Sequence, residues 1–237
     1  MPKKKDNLNF NNNMTLFYAD DQVIICNSED SLQWTTHQLN IIMKKYHMEI
    51  SVNKTKCMAF SGSEPLRAKI TIDDKPVEQV DNFRFLGCDI SFRSEIDIDH
   101  KITNFNRMNG TIVRTLKGKA RKETLMKFYK TMSIPIITYA SETWTLNKNN
   151  ERKLTTAEMR FLRKVQGVTL LDQQRSDDIR RSLNQKPLCE IIKDNRLRWQ
   201  NHVHRMADSR LPKKAITHTV RGRRPIGRPR KRWSDQL

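Results

Sequence analysis

The spacing of apolar residues changes once along this chain, and the change limits the possible fold classes. Up to Ile90 the apolar residues come in short runs with a period near two, which is typical of β-strands. From about Asp97 onward they recur at spacings of three and four, which indicates amphipathic helices. A strand-rich front followed by a helical back predicts an α+β protein.

A tight hairpin and one helix are predicted near the start of the chain. Two β-rich apolar runs, Thr15–Ala19 and Gln22–Cys26, flank the acidic pair Asp20-Asp21 and predict antiparallel strands. Ser28 is a suitable N-cap for the helix that follows, because two acidic residues come directly after it. The apolar face expected for this helix comprises Leu32, Thr35, Leu39, Ile42 and Tyr46.

Further strands are predicted between this helix and residue 90. The stretch "EISVNKTKCMAF" predicts a strand, a polar turn and a second strand. The segment Ala68–Ile90 predicts two or three antiparallel strands, with turns at Asp73-Asp74 and near Gly87.

Helices are predicted throughout the back half. One apolar stripe ends before Pro135, because proline interrupts a helix, and another is closed by Gly167. A short helix is expected at 176–183 and a longer one from Pro187, whereas the chain beyond Arg210 shows no period and is expected to be extended. The stripes are Ile102, Phe105, Met108, Ile112 and Leu116; Leu125, Phe128 or Tyr129, and Met132; Leu154, Ala157, Phe161 and Val165; and Leu188, Ile192, Asn195, Trp199, His202 and Met206.

Positive charge is concentrated in the back half. The 237 residues include 45 Lys+Arg and 26 Asp+Glu, a formal net charge of +19. Residues 1–110 have a net charge of −1 and residues 111–237 a net charge of +20. Such a balance indicates a polyanionic partner, most often nucleic acid. No apolar run is long enough to span a bilayer, so we expect a nuclear or cytoplasmic intracellular protein without a membrane partner.

The acidic pair Asp20-Asp21 has two interpretations. Adjacent aspartates are common in hairpin turns for backbone reasons alone. The flanking runs are almost wholly apolar, however, so both faces of the hairpin are expected to be covered. Two carboxylates at the edge of a buried hairpin repel each other unless a cation neutralises them, and phosphoryl transfer uses carboxylates that hold Mg²⁺. A plain turn and half of a metal site both fit the sequence.

Several motifs, in the same order as in one enzyme family, carry a resemblance to it. "FYADD" resembles the catalytic hairpin of reverse transcriptases, in the form found in non-LTR (LINE-type) retrotransposons. "HMEISVNKTKCMAF" is similar to the palm segment that follows in that family, and "VDNFRFLGCDIS" to the primer-grip hairpin, with Phe85 where tyrosine is frequent. "YASETWTL" and "RLRWQNHVHRM" look like the C-terminal region of the proteins that such elements encode.

The resemblance implies a polymerase active site that acts on RNA and DNA. Asp20 would be the main Mg²⁺ ligand and Asp21 its weaker neighbour. Lys54 would neutralise or protonate the pyrophosphate leaving group as a general acid, and otherwise it is a solvated turn lysine. The primer-grip turn would be formed by Phe85, Leu86 and Gly87, which a plain hydrophobic hairpin also explains.

One part of the family pattern is missing from this sequence. The family's other metal-binding aspartate lies well upstream of the catalytic hairpin, whereas 19 residues precede Asp20 here. We therefore expect a truncated enzyme that is inactive alone and binds Mg²⁺ weakly, unless another chain supplies the missing half of the palm. The expected regions are a disordered leader (1–13), a partial palm of antiparallel hairpins plus one helix (14–93), a thumb-like helical region (94–170), a small helical region (171–209) and an extended basic tail (210–237).

Basic residues of the back half are the candidate nucleic-acid contacts. Arg160, Arg163 and Lys164 lie opposite an apolar stripe and suit a duplex backbone, with a solvated helix face as the alternative. The tail "GRRPIGRPRKRW" partly resembles an AT-hook; general phosphate contact, nuclear localisation or no role are the alternatives. Trp233 either stacks on a base or packs on its own domain. On the helix expected from Pro187, Trp199 lies on the apolar face, so Arg196, Arg198 and Arg205 are expected to face solvent or nucleic acid. The candidate contacts of the tail are Arg223, Arg224, Arg228, Arg230, Lys231 and Arg232.

Three functions remain open on the sequence alone. The first is a fragment of an RNA-directed DNA polymerase. The second is a non-catalytic, basic nucleic-acid-binding module that uses residues 111–237. The third is a relic whose front half does not fold, because exposed sheet edges and apolar faces favour aggregation.

Overall fold

The computed structural model describes residues 14–60, 66–91, 95–218, 227 and 231–236. These residues fall into two units, the first up to residue 91 and the second from residue 95 onward. Short two-stranded sheets and one helix make up the first unit, and helices make up the second, so the predicted α+β class is confirmed. Within the described residues no helix is long and apolar enough to cross a membrane.

The first hairpin consists of β1 (Met14–Tyr18) and β2 (Asp21–Ile25). Tyr18 pairs with Asp21 in an antiparallel register, which leaves a two-residue loop of Ala19 and Asp20. Ala19 takes a positive φ of 52°, as the favoured two-residue hairpin loops require at this position. The predicted hairpin is confirmed, but its strands lie one residue earlier than expected, and Asp21 belongs to β2 instead of the turn.

Helix α1 (Glu29–Lys45) begins as predicted, because the Ser28 hydroxyl accepts a hydrogen bond from the Ser31 N–H at 3.2 Å. The helix packs against the rest of the first unit mainly through a polar stripe. The Gln33 amide donates to the Thr71 carbonyl at 3.0 Å and accepts from the Thr71 N–H at 2.8 Å. The Glu29 carboxylate accepts from the Lys69 N–H at 2.7 Å. These side chains satisfy backbone groups that a neighbouring strand would otherwise bind.

The apolar face predicted for α1 is wrong in part. Its buried residues are Thr36 and Asn40, which belong to the polar stripe. Ile42 and Tyr46 are exposed, and the other predicted face residues are only half-buried. The apolar spacing correctly predicted a helix. Polar contacts to the backbone decide which side of this helix faces the rest of the first unit.

The remaining strands form separate two-stranded sheets around a small core. Strands β4 (Thr71–Ile72) and β5 (Lys75–Pro76) pair antiparallel, as do β7 (Asn82–Phe85) and β8 (Cys88–Ser91), whereas β3 (Lys56–Cys57) pairs parallel with β6 (Glu78–Gln79). The turn predicted at Asp73-Asp74 is confirmed, with φ of 48° and 60°. The strand predicted from "EISV" is wrong, since that stretch contains no strand. The core is Cys57, Ile70, Ile72 and Val77.

The second unit is built from helices around a larger core. Its centre holds three aromatic rings, with Tyr129 stacked on Phe161 at 4.6 Å between centroids and Phe105 edge-on to Tyr129 at 5.9 Å. The apolar stripe predicted for α5 is buried, and Gly167 ends that helix with a positive φ of 81°. The bounds are α2 (Glu95–Leu116), α3 (Lys122–Phe128), α4 (Ile134–Thr138), α5 (Lys148–Gln166), α6 (Ser176–Ser182), α7 (Leu188–His204) and α8 (Leu211–Thr217).

The helical path continues through Pro135, where the sequence predicted an end. A π-helical turn, Tyr129–Ser133, follows α3 directly and leads into α4. Pro135 is the second residue of α4 and follows the π-helical turn, in which the Ile134 N–H donates to the Tyr129 carbonyl.

The described residues beyond Arg210 contain helical turns, where the sequence predicted an extended chain. It contains α8, and a 3₁₀ turn at Trp233–Gln236 binds the second unit. The Trp233 indole N–H donates to the Glu142 carbonyl at 2.6 Å, so the tryptophan packs on its own unit. The side chain of Gln236 hydrogen-bonds both backbone groups of Leu146. These contacts supply the order that sequence periodicity could not show.

A buried carboxylate joins three helices of the second unit. Glu158 of α5 is 1% exposed and accepts a hydrogen bond from Arg180 of α6 at 2.8 Å. Its other oxygen accepts from the N–H of Leu188, the first residue of α7, at 3.0 Å. Pro187 precedes that helix and has no N–H, so Glu158 satisfies the first free donor of α7.

Replacing Glu158 by Gln should lower the free energy of unfolding by roughly 3 kcal/mol, because the mostly buried Arg180 guanidinium would lose its buried charged partner and keep only the exposed Asp177. Urea unfolding of the whole chain, followed by helical circular dichroism, measures the change. The matched control is Asp177→Asn, since Asp177 pairs with the same arginine at 3.0 Å but its side chain is 82% exposed. We expect a loss of about 1 kcal/mol or less for the control. Equal losses in the two variants would contradict the assigned role of Glu158.

Asp73 should make the first unit sensitive to acid. Hydrogen bonds from Lys44 at 2.6 Å and Asn40 at 2.8 Å lower the pKa of Asp73. The stabilisation is therefore complete above the unfolded-state pKa of about 3.9 and is lost as the pH falls through the lower folded-state pKa.

Asp73→Asn should reduce the loss of stability at low pH, whereas Asp74→Asn should leave that loss unchanged. The reason is that Asp73 makes the contacts to Lys44 and Asn40. Unfolding midpoints in urea between about pH 2 and pH 6 test the difference across the window that the reference pKa sets. If the urea midpoint of Asp73→Asn falls with decreasing pH as steeply as that of the wild type, these contacts do not stabilise the unit.

Candidate functional site

The two acidic residues of the first hairpin lie at its tip. Asp20 occupies the second position of the two-residue loop, and Asp21 is the first residue of β2. Both side chains are exposed to solvent. The hairpin fixes the backbone at both positions, and the two carboxylates are adjacent along it.

The faces of this hairpin are open in the structure. Phe17 is 70% exposed and Tyr18 is 63% exposed, so the expectation that both faces are covered is wrong for the described residues. Trp34 and Ile41 of α1 are exposed as well. The physical reason is that the small core of the first unit lies around Cys57 and Ile72, away from these side chains.

The donors at the hairpin tip satisfy only part of what Mg²⁺ requires. Carboxylate oxygens are suitable ligands, and Asp20 and Asp21 supply two such groups. Among the residues that the structure describes, however, no three His, Cys, Asp or Glu side chains come together as a metal site. The described residues therefore do not form a complete Mg²⁺ centre.

Lys54 lies in a turn between α1 and β3. Its N–H donates to the Ser51 carbonyl at 3.1 Å, and its side chain is exposed. The neighbouring Lys56 forms an ion pair with Glu78. Of these two lysines, Lys54 is thus the one with the exposed side chain. It lies on a turn separate from the acidic hairpin.

The predicted primer-grip residues form the tip of the β7–β8 hairpin. Phe85 pairs with Cys88, which leaves Leu86 and Gly87 as a two-residue loop. Both loop residues have positive φ, 48° and 77°, as a type I′ turn requires. Leucine is an unusual residue in this conformation, since its Cβ crowds the backbone. The sequence therefore holds an exposed apolar side chain at a position where asparagine or glycine would be less strained.

The basic residues predicted on α5 have two different environments. Arg160 and Lys164 are exposed, four residues apart on one line of the helix. Arg163 is half-buried, and its guanidinium donates to the Gln174 carbonyl at 3.3 Å. Arg163 thus supports the loop after α5 and is less available to a ligand than its neighbours.

A second group of basic residues was missed by the sequence reasoning. The loop between α2 and α3, together with the first residue of α3, carries four exposed cations within six positions: Lys117, Lys119, Arg121 and Lys122. Lys122 donates to the carbonyl and the side chain of Gln166, at 3.2 and 3.3 Å. This contact places the loop beside the C-terminal end of α5, near Lys164. The concentration of lysine and arginine in residues 117–122 is the sequence signal from which this basic group could have been predicted.

The predicted tail contacts lie partly outside the described residues. Arg223, Arg224, Arg228 and Arg230 lie outside the described residues. Lys231 and Arg232 are described and exposed. Arg196 of α7 is not available to a ligand, because it is 2% exposed and donates to the Trp144 carbonyl at 2.8 Å. The expectation that Arg196 faces solvent or nucleic acid is wrong.

Comparison with known proteins agrees with the motifs of the front half. The family described as reverse transcriptase (RNA-dependent DNA polymerase) matches residues 3–90. A putative uncharacterized transposon-derived protein of Caenorhabditis elegans is 24% identical over 240 residues, which cover 97% of this chain and 86% of that protein. No solved structure matches the chain significantly. The chain is therefore similar to reverse transcriptases in its front half and to a transposon-derived protein along nearly all of its length.

Proposed function

We propose that this chain carries the later palm, the thumb-like and the basic regions of an RNA-directed DNA polymerase of a LINE-type retrotransposon. Alone, it binds RNA and DNA but does not extend a primer. The observation that carries the proposal is the hairpin that presents Asp20 and Asp21 at its tip, within the segment that matches the reverse transcriptase family. The second exposed hairpin tip, at Leu86 and Gly87, supports it.

The proposed roles follow from the exposed groups. Asp20 and Asp21 would hold Mg²⁺, which supplies charge stabilisation in phosphoryl transfer when it is bound. Lys54 would neutralise the leaving group, because its ammonium is exposed on a turn and forms no ion pair within the part of the chain that the structure describes. Phe85, Leu86 and Gly87 would contact the primer strand. Reverse transcriptases generally use divalent metal ions, and RNA and DNA are the substrates of that family.

Inactivity of the chain alone follows from the donor set. Within residues 14–60, 66–91 and 95–218 only the aspartate pair is placed at the hairpin tip, without a third carboxylate. Two exposed carboxylates bind Mg²⁺ weakly, because much of the coordination is left to water. Another chain that supplies the third carboxylate would restore the centre.

A second candidate function, a non-catalytic nucleic-acid-binding module, is favoured by the charge distribution. Residues 111–237 carry a net charge of +20, and the helical unit to which most of them belong has the larger core. Binding to phosphate requires cations in suitable places and no metal chemistry. The two candidates differ in whether the first unit contributes to activity.

Primer extension distinguishes the two candidates. The purified chain, an RNA template, a DNA primer and Mg²⁺ should give no extension above background, and Asp20→Asn should behave identically. Addition of an extract fraction or chain that restores extension to the wild type but not to Asp20→Asn would support the polymerase role. Extension by the wild-type chain alone that is lost in Asp20→Asn would contradict the predicted inactivity. Restored extension that is equal in both proteins would contradict the role of Asp20.

The exposed basic line of α5 should contribute to the salt dependence of binding. For a 20-base-pair DNA duplex, Arg160→Gln with Lys164→Gln should reduce the slope of log K against log salt by about 2, because each lost phosphate contact removes about 0.9. The matched control, Lys45→Gln with Lys69→Gln, removes two exposed charges from the first unit and should change the slope little. Equal effects of the two double variants would show that binding follows net charge and not this surface.

A further inference from the structure

Strand β1 (Met14–Tyr18) has one edge that faces away from β2, and we call it the open edge. Among the residues that the structure describes, β1 pairs with β2 and with no other strand. The strand contains no charged residue and no proline, and its side chains from Leu16 to Tyr18 are exposed. Natural proteins place charges or proline on free edges to prevent pairing with another chain. The open edge lacks that protection.

The register of the hairpin shows which backbone groups point to the open edge. Tyr18 and Asp21 flank the two-residue loop, so the turn joins them by a backbone hydrogen bond. Bonded and non-bonded pairs alternate along antiparallel strands, so the next residue of β1 that bonds to β2 is Leu16. The N–H and C=O groups of Thr15 and Phe17 therefore point away from β2, where no other described strand binds them.

The open edge is complementary to itself. If two copies of β1 lie antiparallel about a two-fold axis at Leu16, Thr15 of each copy lies opposite the partner's Phe17. These are the two residues whose backbone groups point outward, so each such pair exchanges two hydrogen bonds. Leu16 then lies opposite the partner's Leu16 as a non-bonded pair, with Cα atoms about 4.5 Å apart. A two-fold dimer requires a surface that matches its own copy in this way.

Exposed apolar side chains are available to such a contact on the hairpin and on α1. The helix packs beside the hairpin, where the Cys26 thiol after β2 donates to the Thr35 hydroxyl at 3.9 Å. At about 200 Å² for each large side chain, the exposed fractions of six residues come to roughly 650 Å² per copy. Each partner of a standard interface buries about 800 Å². The six residues, each at least 41% exposed, are Leu16, Phe17, Tyr18, Ile25, Trp34 and Ile41.

The charge of the front half permits contact between two copies of it. Residues 1–110 have a net charge of −1, whereas residues 111–237 have a net charge of +20. Two copies that met through the back half would repel each other strongly, and two copies that meet through the hairpin would not. Charge and backbone pattern thus select the same surface for a contact between copies.

We propose that two copies of this chain form a two-fold dimer in which their β1 strands pair antiparallel at Leu16 and join the two hairpins into one four-stranded sheet. The dimer goes beyond the proposed function and does not complete the metal centre. Asp20 lies four positions from Leu16, so at about 3.3 Å per residue the two Asp20 residues are roughly 25 Å apart. The second copy therefore supplies no carboxylate to the first, and the dimer should not extend a primer.

Sedimentation equilibrium of the whole chain tests the dimer, in about 0.5 M salt to screen the charge of the back half. The wild type should change from monomer to dimer between about 1 and 100 µM, as a micromolar Kd requires. Phe17→Lys should raise the Kd at least tenfold, because it places a charge in the apolar contact. Thr15→Pro should do the same, because it removes an outward donor and leaves the bonds to β2 intact.

The matched control for Phe17→Lys is Leu171→Lys. Leu171 is a 90% exposed apolar residue of the second unit, so this variant adds the same charge and should dimerise as the wild type does. Helical circular dichroism should be unchanged in all three variants, which separates loss of the dimer from loss of the fold.

A disulfide tests the register. With oxidised glutathione, Leu16→Cys should form a linked dimer, since Cα atoms about 4.5 Å apart lie within the range that a disulfide bridges. Thr15→Cys should not, because the two copies of that residue would be about 8 Å apart. Peptide mass spectrometry distinguishes a link at position 16 from one at the native Cys26.

Several outcomes would overturn the dimer without touching the proposed function, which primer extension tests separately. If the wild type stays monomeric over the whole range, the dimer is wrong, and binding of a different chain that Phe17→Lys abolishes would identify that chain as the occupant of the open edge. If Phe17→Lys and Thr15→Pro leave the dimer unchanged, another surface forms the contact. A link in Thr15→Cys without one in Leu16→Cys contradicts the register.

Discussion

The second unit depends on the buried carboxylate of Glu158. Burial raises the pKa of Glu158, and the Arg180 guanidinium and the Leu188 N–H oppose this shift because both stabilise the ionised form. The contact fixes the start of α7, and α7 carries Arg196, which binds the Trp144 carbonyl. The Trp144 indole N–H donates in turn to Asp97 of α2 at 2.7 Å, where Lys101 also binds at 2.9 Å. The residues that orient the helices are thus polar and buried, and the apolar stripes fill the space between them. Such a network is costly unless every member is paired, so it also restricts which arrangements of the helices are possible.

The first unit is organised in a different way. Its buried apolar residues are few, and α1 is attached by the Gln33 amide and the Glu29 carboxylate, which bind backbone groups beside β4. Hydrogen bonds of this kind each contribute only about 1 kcal/mol net, since water competes for the same groups. The exposed apolar side chains of the hairpin and of α1 are not removed from water, so their exposed surface adds no hydrophobic stabilisation to this unit. The first unit therefore has less to stabilise it than the second, although it carries the acidic pair.

The sequence predicted local structure well where a short motif determines it. Ser28 as a cap, Asp73-Asp74 as a turn and Gly167 as a helix end each depend on the conformation of two or three neighbouring residues, and all three are confirmed. The apolar face of α1 and the solvent exposure of Arg196 were wrong, because each depends on a partner distant in sequence: Thr71 for α1 and Trp144 for Arg196. Helical periodicity gives a helix its faces but does not identify the face that is buried. The acidic pair was located by its motif, yet its surroundings were not, since the cover expected for the hairpin is not among the described residues.

The two proposed activities place different demands on the structure. Metal-dependent catalysis requires carboxylates held rigidly in a site from which water is largely excluded. Asp20 and Asp21 are instead exposed on a hairpin whose aromatic side chains, Phe17 and Tyr18, are open to solvent. Nucleic-acid binding requires only that cations be presented on a stable surface, and Lys164 is presented on a helix whose opposite side is fully buried. The proposed binding surface is thus supported by the core of its own unit, whereas the acidic pair needs further groups before it can act. The proposed nucleic-acid binding therefore does not depend on the proposed catalysis.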